Sequence, residues 1–330
     1  MASAASVRDR FRINESNAAL LDELEAIDPI EPVLPERNTA RELLGRLAVP
    51  PGAVDDIVDR LPAIHDDSDA RWLVARCYTQ LVRRIGAREP GRLRWPSLAD
   101  ADEPLAPYLY VAIFLAAVPD IERWYVDHEI ASAILWATLA DVGGRMAIRA
   151  RVSGRRGLDT EQHWLTQHFT GQLFQLGRLQ FNRSSVWYEA GTLEELEAGF
   201  AHGDPALGVH IRRAGPLDPT ECDASFALAR EFFDRYFPDH HYRVAVCTSW
   251  LLDDQLADYL PADSNIVRFQ RRFRMIPGAS PGNDDVFEFV FDGKKPDLDL
   301  PPQGTRLERA IVRHLRDGGA WRVRTGWVEL

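Results

Sequence analysis

The stretch 208-GVHIRRAGPLDPTE-221 decides the fold of the second half of the chain. It begins as a short apolar strand, passes through a loop with a glycine, and enters a helical pattern over residues 220 to 237. Backbone N–H groups at such a helix start can bind an anion such as pyrophosphate, and Arg212 and Arg213 can add charge-assisted hydrogen bonds. The alternative is a solvated turn in which Gly215 and Pro216 serve the backbone geometry alone.

Strands and helices alternate on both sides of this stretch. Residues 171 to 191 predict two strands joined by a turn at Asn182 to Ser185. Residues 205 to 217 predict a third strand, and residues 219 to 237 a helix that ends before Pro238. The pattern then predicts a strand from residue 244, a helix and another strand before residue 273, a strand at 284 to 292, a helix at 305 to 316 and a last strand at 320 to 330.

Residues 1 to about 165 predict helices throughout, separated by short Pro and Gly breaks, with Thr39 as the N-cap of one of them. The apolar run from Tyr108 to Val118 is shorter than the roughly 20 residues that a membrane-spanning helix needs, which predicts a buried helix. The pattern changes between residues 155 and 170. We therefore predict an α+β protein with two domains, 1–165 and 166–330, in which an all-helical N-terminal domain is packed on a C-terminal mixed β-sheet flanked by helices.

Composition narrows the function classes. A net charge of −11 predicts that the chain binds neither nucleic acid nor anionic membranes. Arginine carries nearly all positive charge, because Lys294 and Lys295 are the only lysines, and arginine suits ion pairs and phosphate recognition. Three cysteines without a CxxC pair indicate a reducing compartment and predict no metal site. With no apolar segment near residue 1, we expect a cytoplasmic protein.

The element order of the second half resembles the GNAT acetyltransferase fold, whose pyrophosphate loop reads Gln/Arg-x-x-Gly-x-Gly/Ala. The segment RRAGPL matches that loop at Arg212 and Gly215 and departs at Leu217, where the pattern has a small residue. The whole chain resembles more closely a bacterial family with a helical N-acyltransferase N-terminal domain and a GNAT-like C-terminal domain. This resemblance rests on residues 174–181, 209–217, 225–238 and 247–273. It departs at Thr248 and Arg212, where the family prefers histidine and proline.

The resemblance implies an acyl-CoA-dependent acyltransferase. It would move an acyl group, expected to be acetyl, from acetyl-CoA or another acyl-CoA directly to the amine of a small-molecule acceptor. Strand N–H groups polarise the thioester carbonyl and proximity accelerates the transfer, so neither a metal nor a side-chain nucleophile is needed. In this interpretation Arg212, Arg213, Gly215 and Leu217 bind the cofactor, and the oligomeric state is left open.

Three positions are candidates for the chemistry. Tyr259 is the first candidate for the acid that protonates the departing thiolate, and the alternative is a packing tyrosine. His210 is a candidate general base on the strand face opposite Val209, and the alternative is a structural histidine. Ser249, with Thr248 and Trp250, can hold a substrate at the end of a strand. A helix N-cap and a core tryptophan are the slightly favoured alternative for Ser249 and Trp250.

Two rival interpretations stay open. Cys247 lies in a predicted strand, which favours a buried and inert thiol, but an exposed Cys247 near His210 or His241 would permit a covalent acyl-enzyme. Leu217 and Thr248 would also fit a GNAT-shaped binding or regulatory protein without turnover. An open V between the two central strands beside residues 212 to 217 would favour the enzyme, and a filled gap would favour the binding protein.

Overall fold

The computed structural model describes residues 2–89, 91–99, 101–188, 199–300 and 304–330. The chain divides into two compact units, Met1–Phe174 and Gln175–Leu330. The first unit is helical, as predicted, and apart from a short 3-10 turn at Glu15–Asn17 its described helices are α1 Ala4–Arg10, α2 Ala18–Glu25, α3 Arg37–Arg46, α4 Pro51–Asp66, α5 Ser68–Val82, α6 Ala106–Asp127, α7 Ser132–Leu139, α8 Asp141–Ser153 and α9 Gln162–Phe169.

The core of the first unit forms around α6. Residues 108 to 118 are all buried, which confirms the prediction of a buried helix. Phe114 of α6 stacks on Phe169 of α9 with ring centroids 4.6 Å apart. None of the helices in the described ranges combines the length and hydrophobicity required to cross a bilayer. The predicted cap at Thr39 is wrong, because helical backbone begins two residues earlier at Arg37, after the extended residue Glu36.

The second unit is built on a mixed sheet with flanking helices. Its strands have the order β1-β2-β3-β4-β7-β5, and β6 pairs with β7. The pair β3 and β4 is parallel, whereas β2 with β3 and β4 with β7 are antiparallel. Together with the helical first unit, this sheet confirms the α+β class. The strands are β1 Leu173–Leu176, β2 Leu179–Ser185, β3 Pro205–His210, β4 Val244–Ser249, β5 Arg274–Met275, β6 Ser280–Pro281 and β7 Arg322–Glu329, and the helices are α10 Pro219–Tyr236, α11 Asn265–Gln270, α12 Asn283–Phe291 and α13 Arg306–Arg316.

The first hairpin is present, but its turn is not where the sequence pattern places it. The chain turns at Gly177 and Arg178, and Gly177 has the positive φ of +69° that a glycine adopts without steric cost. The residues predicted as the turn lie within β2, where Asn182 pairs with Gly208 and Ser185 with Pro205. Residues 189 to 191 of the predicted second strand lie outside the described ranges.

Two predicted strands near the end of the chain are helices. The segment after Pro261 forms α11, and the Ser264 hydroxyl caps it by accepting a hydrogen bond from the Val267 N–H at 3.4 Å. Residues 283 to 291 form α12, whose first turn carries Asp284 and Asp285 where the helix dipole favours negative charge. Between β4 and α11 the predicted helix is replaced by two short 3-10 segments, Trp250–Leu252 and Asp254–Asp258.

Candidate active site

The two central parallel strands are paired over a short section only. Leu207 pairs with Ala245 and Gly208 with Val246, and no later residue of β3 has a partner in β4 among the described residues. The outer edges of the same strands are paired along their whole length, β3 with β2 and β4 with β7. The two strands therefore part on the side where β3 runs into the loop of residues 211 to 218. This parting of the strands fits the arrangement expected for the enzyme, and we call it the β3–β4 opening.

The loop of residues 211–218, here the 211–218 loop, connects β3 to α10. The N–H of Ala214 donates to the carbonyl of Arg212 at 2.8 Å, and Gly215 adopts φ +64°, so the backbone turns tightly at this point. Arg213 forms an ion pair with Asp292 at 2.5 Å. The side chain of Leu217 is 7% exposed, so it packs into the protein instead of extending into the solvent around the loop.

The start of α10 differs from the sequence expectation. The carboxylate of Asp218 accepts hydrogen bonds from the N–H groups of Thr220 at 2.9 Å and Glu221 at 3.2 Å. This cap occupies two of the helix donors that an anion was expected to use. The prediction of a site built on the helix N-terminus is therefore wrong in this detail. The N–H groups that can bind an anion here are those of the loop before the helix.

His210 ends β3 on the sheet face opposite Val209, as alternation along a strand requires. Its Nε2 lies 2.7 Å from the Oδ1 of Asn182 on β2. Because an amide oxygen only accepts, Nε2 carries the proton and Nδ1 is the basic nitrogen of the neutral ring. Gly208 leaves room for this pair, since a Cβ at that position would lie 2.0 Å from the Asn182 Oδ1.

Tyr259 follows the second 3-10 segment and packs against a buried cluster that includes Trp321. Its hydroxyl lies 3.2 Å from the Nδ1 of His314 on α13, and the Nε2 of His314 lies 3.3 Å from the carbonyl oxygen of Ala320. A carbonyl only accepts, so Nε2 carries the proton and the tyrosine hydroxyl donates to Nδ1. Tyr259 is thus both a packing residue and one with a proton aimed at a defined partner.

The three residues at the end of β4 have different surroundings. Thr248 is exposed, and its hydroxyl lies 2.9 Å from that of Thr325 on β7. The Ser249 hydroxyl accepts a hydrogen bond from the Leu251 N–H at 3.1 Å and caps the 3-10 segment. Trp250 is 6% exposed and belongs to the same buried cluster as Tyr259. Capping and packing are therefore the contacts that the structure gives to Ser249 and Trp250, and their roles toward a substrate stay predictions.

One sheet face carries polar groups beside the β3–β4 opening. Since Gly208 and Val246 are paired, His210 and Thr248 lie two residues further along on the same face. Asn182, Thr325 and Tyr188 lie on or beside it, and burial raises the pKa of Tyr188, while the hydroxyls of Thr325 and Thr248 lower it in part. The sequence reading missed Asn182 because it assigned this residue to a turn. Extending the alternation of β2 as far as Ser185 would have placed it on this face.

Cys247 is on the opposite face of β4 and is buried there. Its side chain is 1% exposed, and burial raises the pKa of its thiol to about 12. The thiol is therefore protonated at neutral pH, and an acyl-enzyme requires the thiolate. The predicted burial of this thiol is confirmed, and its inertness stays a prediction. Among the described residues no group of three or more His, Cys, Asp or Glu side chains is arranged to hold a metal ion.

Known proteins match both units of the chain. Residues 38–171 match the model of an N-acyltransferase N-terminal domain, and residues 173–328 match that of a GNAT-like C-terminal domain. A solved acyltransferase in complex with decanoyl-CoA is 36% identical with TM-score 0.89, and 99% of each chain is covered. A mutant acyltransferase with octanoyl-CoA and an acyltransferase with decanoyl-CoA and teicoplanin are each 37% identical with TM-score 0.88 and the same coverage. No curated protein matches significantly.

Proposed function

The chain belongs to the acyltransferase family that joins an N-acyltransferase N-terminal domain to a GNAT-like C-terminal domain, and from this premise we propose that it moves a medium-chain acyl group from coenzyme A to an amine of a glycopeptide-like acceptor. The ligands of the relatives support the donor, since those structures contain decanoyl-CoA or octanoyl-CoA. The acyl chain proposed here is longer than the acetyl group expected from the sequence. Teicoplanin in one relative supports the acceptor class.

The observation that carries this proposal is the β3–β4 opening beside the 211–218 loop. Strands that part after two residue pairs leave the sections of β3 and β4 beyond Gly208 and Val246 unpaired with each other. A thioester lying in that opening would meet strand N–H groups able to polarise its carbonyl. The loop at the end of β3 would meet the diphosphate of the same molecule.

The proposed reaction is direct transfer. The amine nitrogen attacks the thioester carbonyl carbon, the N–C bond forms, and the C–S bond breaks to release the thiolate of coenzyme A. His210 would accept the proton lost by the amine, through Nδ1 or an intervening water. The Tyr259 hydroxyl would leave its hydrogen bond to the His314 Nδ1 and donate its proton to the thiolate, and both Tyr259 and His210 would exchange protons with solvent before the next cycle. Thr248 would contact the acceptor, since it is exposed on the same face as His210.

Donor binding and turnover test the proposal in sequence. Thermal unfolding is measured with CoA, acetyl-CoA, octanoyl-CoA and decanoyl-CoA, with ATP as control, because a ligand at about 100 times its Kd adds about 2.7 kcal/mol of stability. We expect octanoyl-CoA and decanoyl-CoA to raise Tm most and ATP to have no effect. Thiol release is then followed with a glycopeptide amine and with a simple alkylamine. If no CoA species raises Tm, the proposed acyltransferase function is refuted. If acetyl-CoA raises Tm most, the proposed acyl chain length is refuted.

A further inference from the structure

Arg178 contacts the backbone carbonyl groups of the 211–218 loop. It lies in the turn between β1 and β2, and its Nε donates to the carbonyl of Pro216 at 2.8 Å. Its Nη2 donates to the carbonyls of Gly215 at 3.1 Å and Arg212 at 3.4 Å. One planar guanidinium, with donors in a fixed fork, therefore holds three carbonyl oxygens of the loop on one side.

The direction of these carbonyls sets the direction of the loop N–H groups. In a planar trans peptide the C=O of one residue points opposite to the N–H of the next. The carbonyls of Arg212 and Pro216 point to Arg178, so the N–H groups of Arg213 and Leu217 point away from it. Within the described part of the chain, no acceptor bonds to the N–H of Arg213, Gly215 or Leu217. The third carbonyl held by Arg178 is that of Gly215, and the next residue, Pro216, has no N–H.

The turn that carries Arg178 is itself fixed to α10. The N–H groups of Arg178 and Leu179 donate to the Ser225 hydroxyl at 2.7 and 3.3 Å. That hydroxyl donates to the Glu221 carbonyl at 2.9 Å within the helix. Gly177 allows this approach, since a Cβ there would lie 2.7 Å from the Ser225 Oγ. The guanidinium is thus held in place by the same helix that follows the loop.

The charge of Arg178 also favours an anion on the far side of the loop. Burial lowers the pKa of this arginine, and nearby Cys222 and Glu221 partly oppose the shift. A guanidinium stays protonated at neutral pH, so a positive charge lies on the carbonyl side of the two peptides whose N–H groups belong to Arg213 and Leu217. Backbone N–H groups without a partner in the protein can bind phosphate groups, even where no side chain reaches the ligand.

We propose that Arg178 is a positioning residue for the diphosphate of the acyl-CoA donor. Its hydrogen bonds orient the loop carbonyls toward Arg178, so that the N–H groups of Arg213 and Leu217 face the ligand. This inference rests on the proposed function. Arg178 acts through the loop and does not touch the donor. The Asp218 cap supports this proposal. It occupies the first N–H donors of α10, so the N–H groups that bind the diphosphate must come from the loop.

The test compares ligands with and without the diphosphate. Isothermal titration measures the Kd of decanoyl-CoA, 3′-dephospho-decanoyl-CoA and decanoyl-pantetheine for the full chain and for Arg178→Ala. We expect the Kd of the first two to rise about tenfold, equivalent to about 1.4 kcal/mol, and that of decanoyl-pantetheine to change less than about twofold. Arg178→Lys should give an intermediate loss, since a lysine ammonium lacks the guanidinium fork. The exposed Arg230→Ala on α10 is the matched control for the lost charge.

Each result has a defined meaning. Equal weakening of all three ligands by Arg178→Ala would show a general structural role and overturn the inference. Unchanged Kd values relative to Arg230→Ala would overturn it as well, while leaving the proposed function intact. If the unchanged protein binds no decanoyl-CoA, the proposed function fails and the inference fails with it. Should Arg178→Ala not fold, Arg178→Lys, with Gly177→Ala as a backbone variant of the same turn, provides the comparison of the three ligands.

Discussion

The two edges of β4 differ in how many of their residues pair with the neighbouring strand. We assign stability to the fully paired edge and function to the partly paired one. On one edge all six residues pair with β7, and Trp327 opposite Val246 is buried in the core. On the other edge two residues pair with β3 and the strands then part. A sheet usually completes its ladder, because unpaired backbone groups need other partners. An interrupted ladder inside a sheet therefore marks a place where a ligand can supply those partners.

The largest effect is expected from the paired edge. Trp327→Ala should lower the free energy of unfolding by about 3–5 kcal/mol, because it leaves a cavity among Val244, Ile276 and Phe200. Urea unfolding measures the loss. Trp187→Ala is the matched control, since Trp187 is 59% exposed and its removal should cost less than about 0.5 kcal/mol. A similar loss in both variants would contradict the assignment of stability to this edge.

A substitution beside the β3–β4 opening should lower activity and leave stability unchanged. His210→Gln retains a side-chain N–H for Asn182 but has no base, so the rate of transfer should fall about 100-fold while Tm stays within about 2 °C. The measurement is kcat with saturating decanoyl-CoA, together with a melting curve. His202→Gln, an exposed histidine elsewhere in the unit, should keep full activity. A rate within about threefold of the unchanged protein would leave His210 with a structural role.

The sequence predicted the elements whose signals are local. Thr305 and Glu308 form the capping box of α13, with the Thr305 hydroxyl accepting from the Glu308 N–H at 3.2 Å. The strand, loop and helix from residue 205 to 236 also follow their pattern in order, although β3 ends at His210 and not at the predicted residue 217. Residues 284 to 292 do not, because a short aromatic run fits a strand or a helix equally well. There the contacts of Val286 in the cluster around Trp321 decide for α12.

The site was predicted less completely, since its geometry depends on contacts between distant residues. Arg178 and the carbonyls that it holds are 34 to 38 residues apart, and no spacing in the sequence connects them. The Asp218 cap is a local contact that the prediction omitted, and its carboxylate occupies the donors expected to bind the anion. The positions of His210 and Thr248 on one face were predictable only with the register between β3 and β4.

A smaller effect, with a pH dependence, is expected where the paired edge meets the 3-10 segments. Asp253 is fully buried and accepts hydrogen bonds from Arg322 and Gln255. Burial alone would raise the pKa of Asp253, but those hydrogen bonds outweigh it and lower the pKa below its usual value. Asp253→Asn should therefore cost about 2 kcal/mol at neutral pH.

The sign of the pH dependence follows from that lowered pKa. A carboxyl whose folded pKa is below the unfolded one contributes its full stability above about pH 4, and the contribution declines as pH falls through the folded pKa. Urea unfolding of both proteins from pH 7 to pH 3 should show their difference shrinking at the acidic end. A difference that is constant with pH would show that Asp253 acts through packing and not through charge.

The smallest effect is expected at Cys247, on the β4 face that points away from His210. Cys247→Ala should leave kcat within about twofold and cost about 1 kcal/mol of stability, because the buried thiol is protonated and acts as a small apolar side chain. In the folded protein, iodoacetamide should not label this residue, whereas urea should make it reactive. Loss of activity in Cys247→Ala with unchanged Tm would instead require a covalent acyl-enzyme. The β3–β4 opening would then bind the donor without carrying out direct transfer.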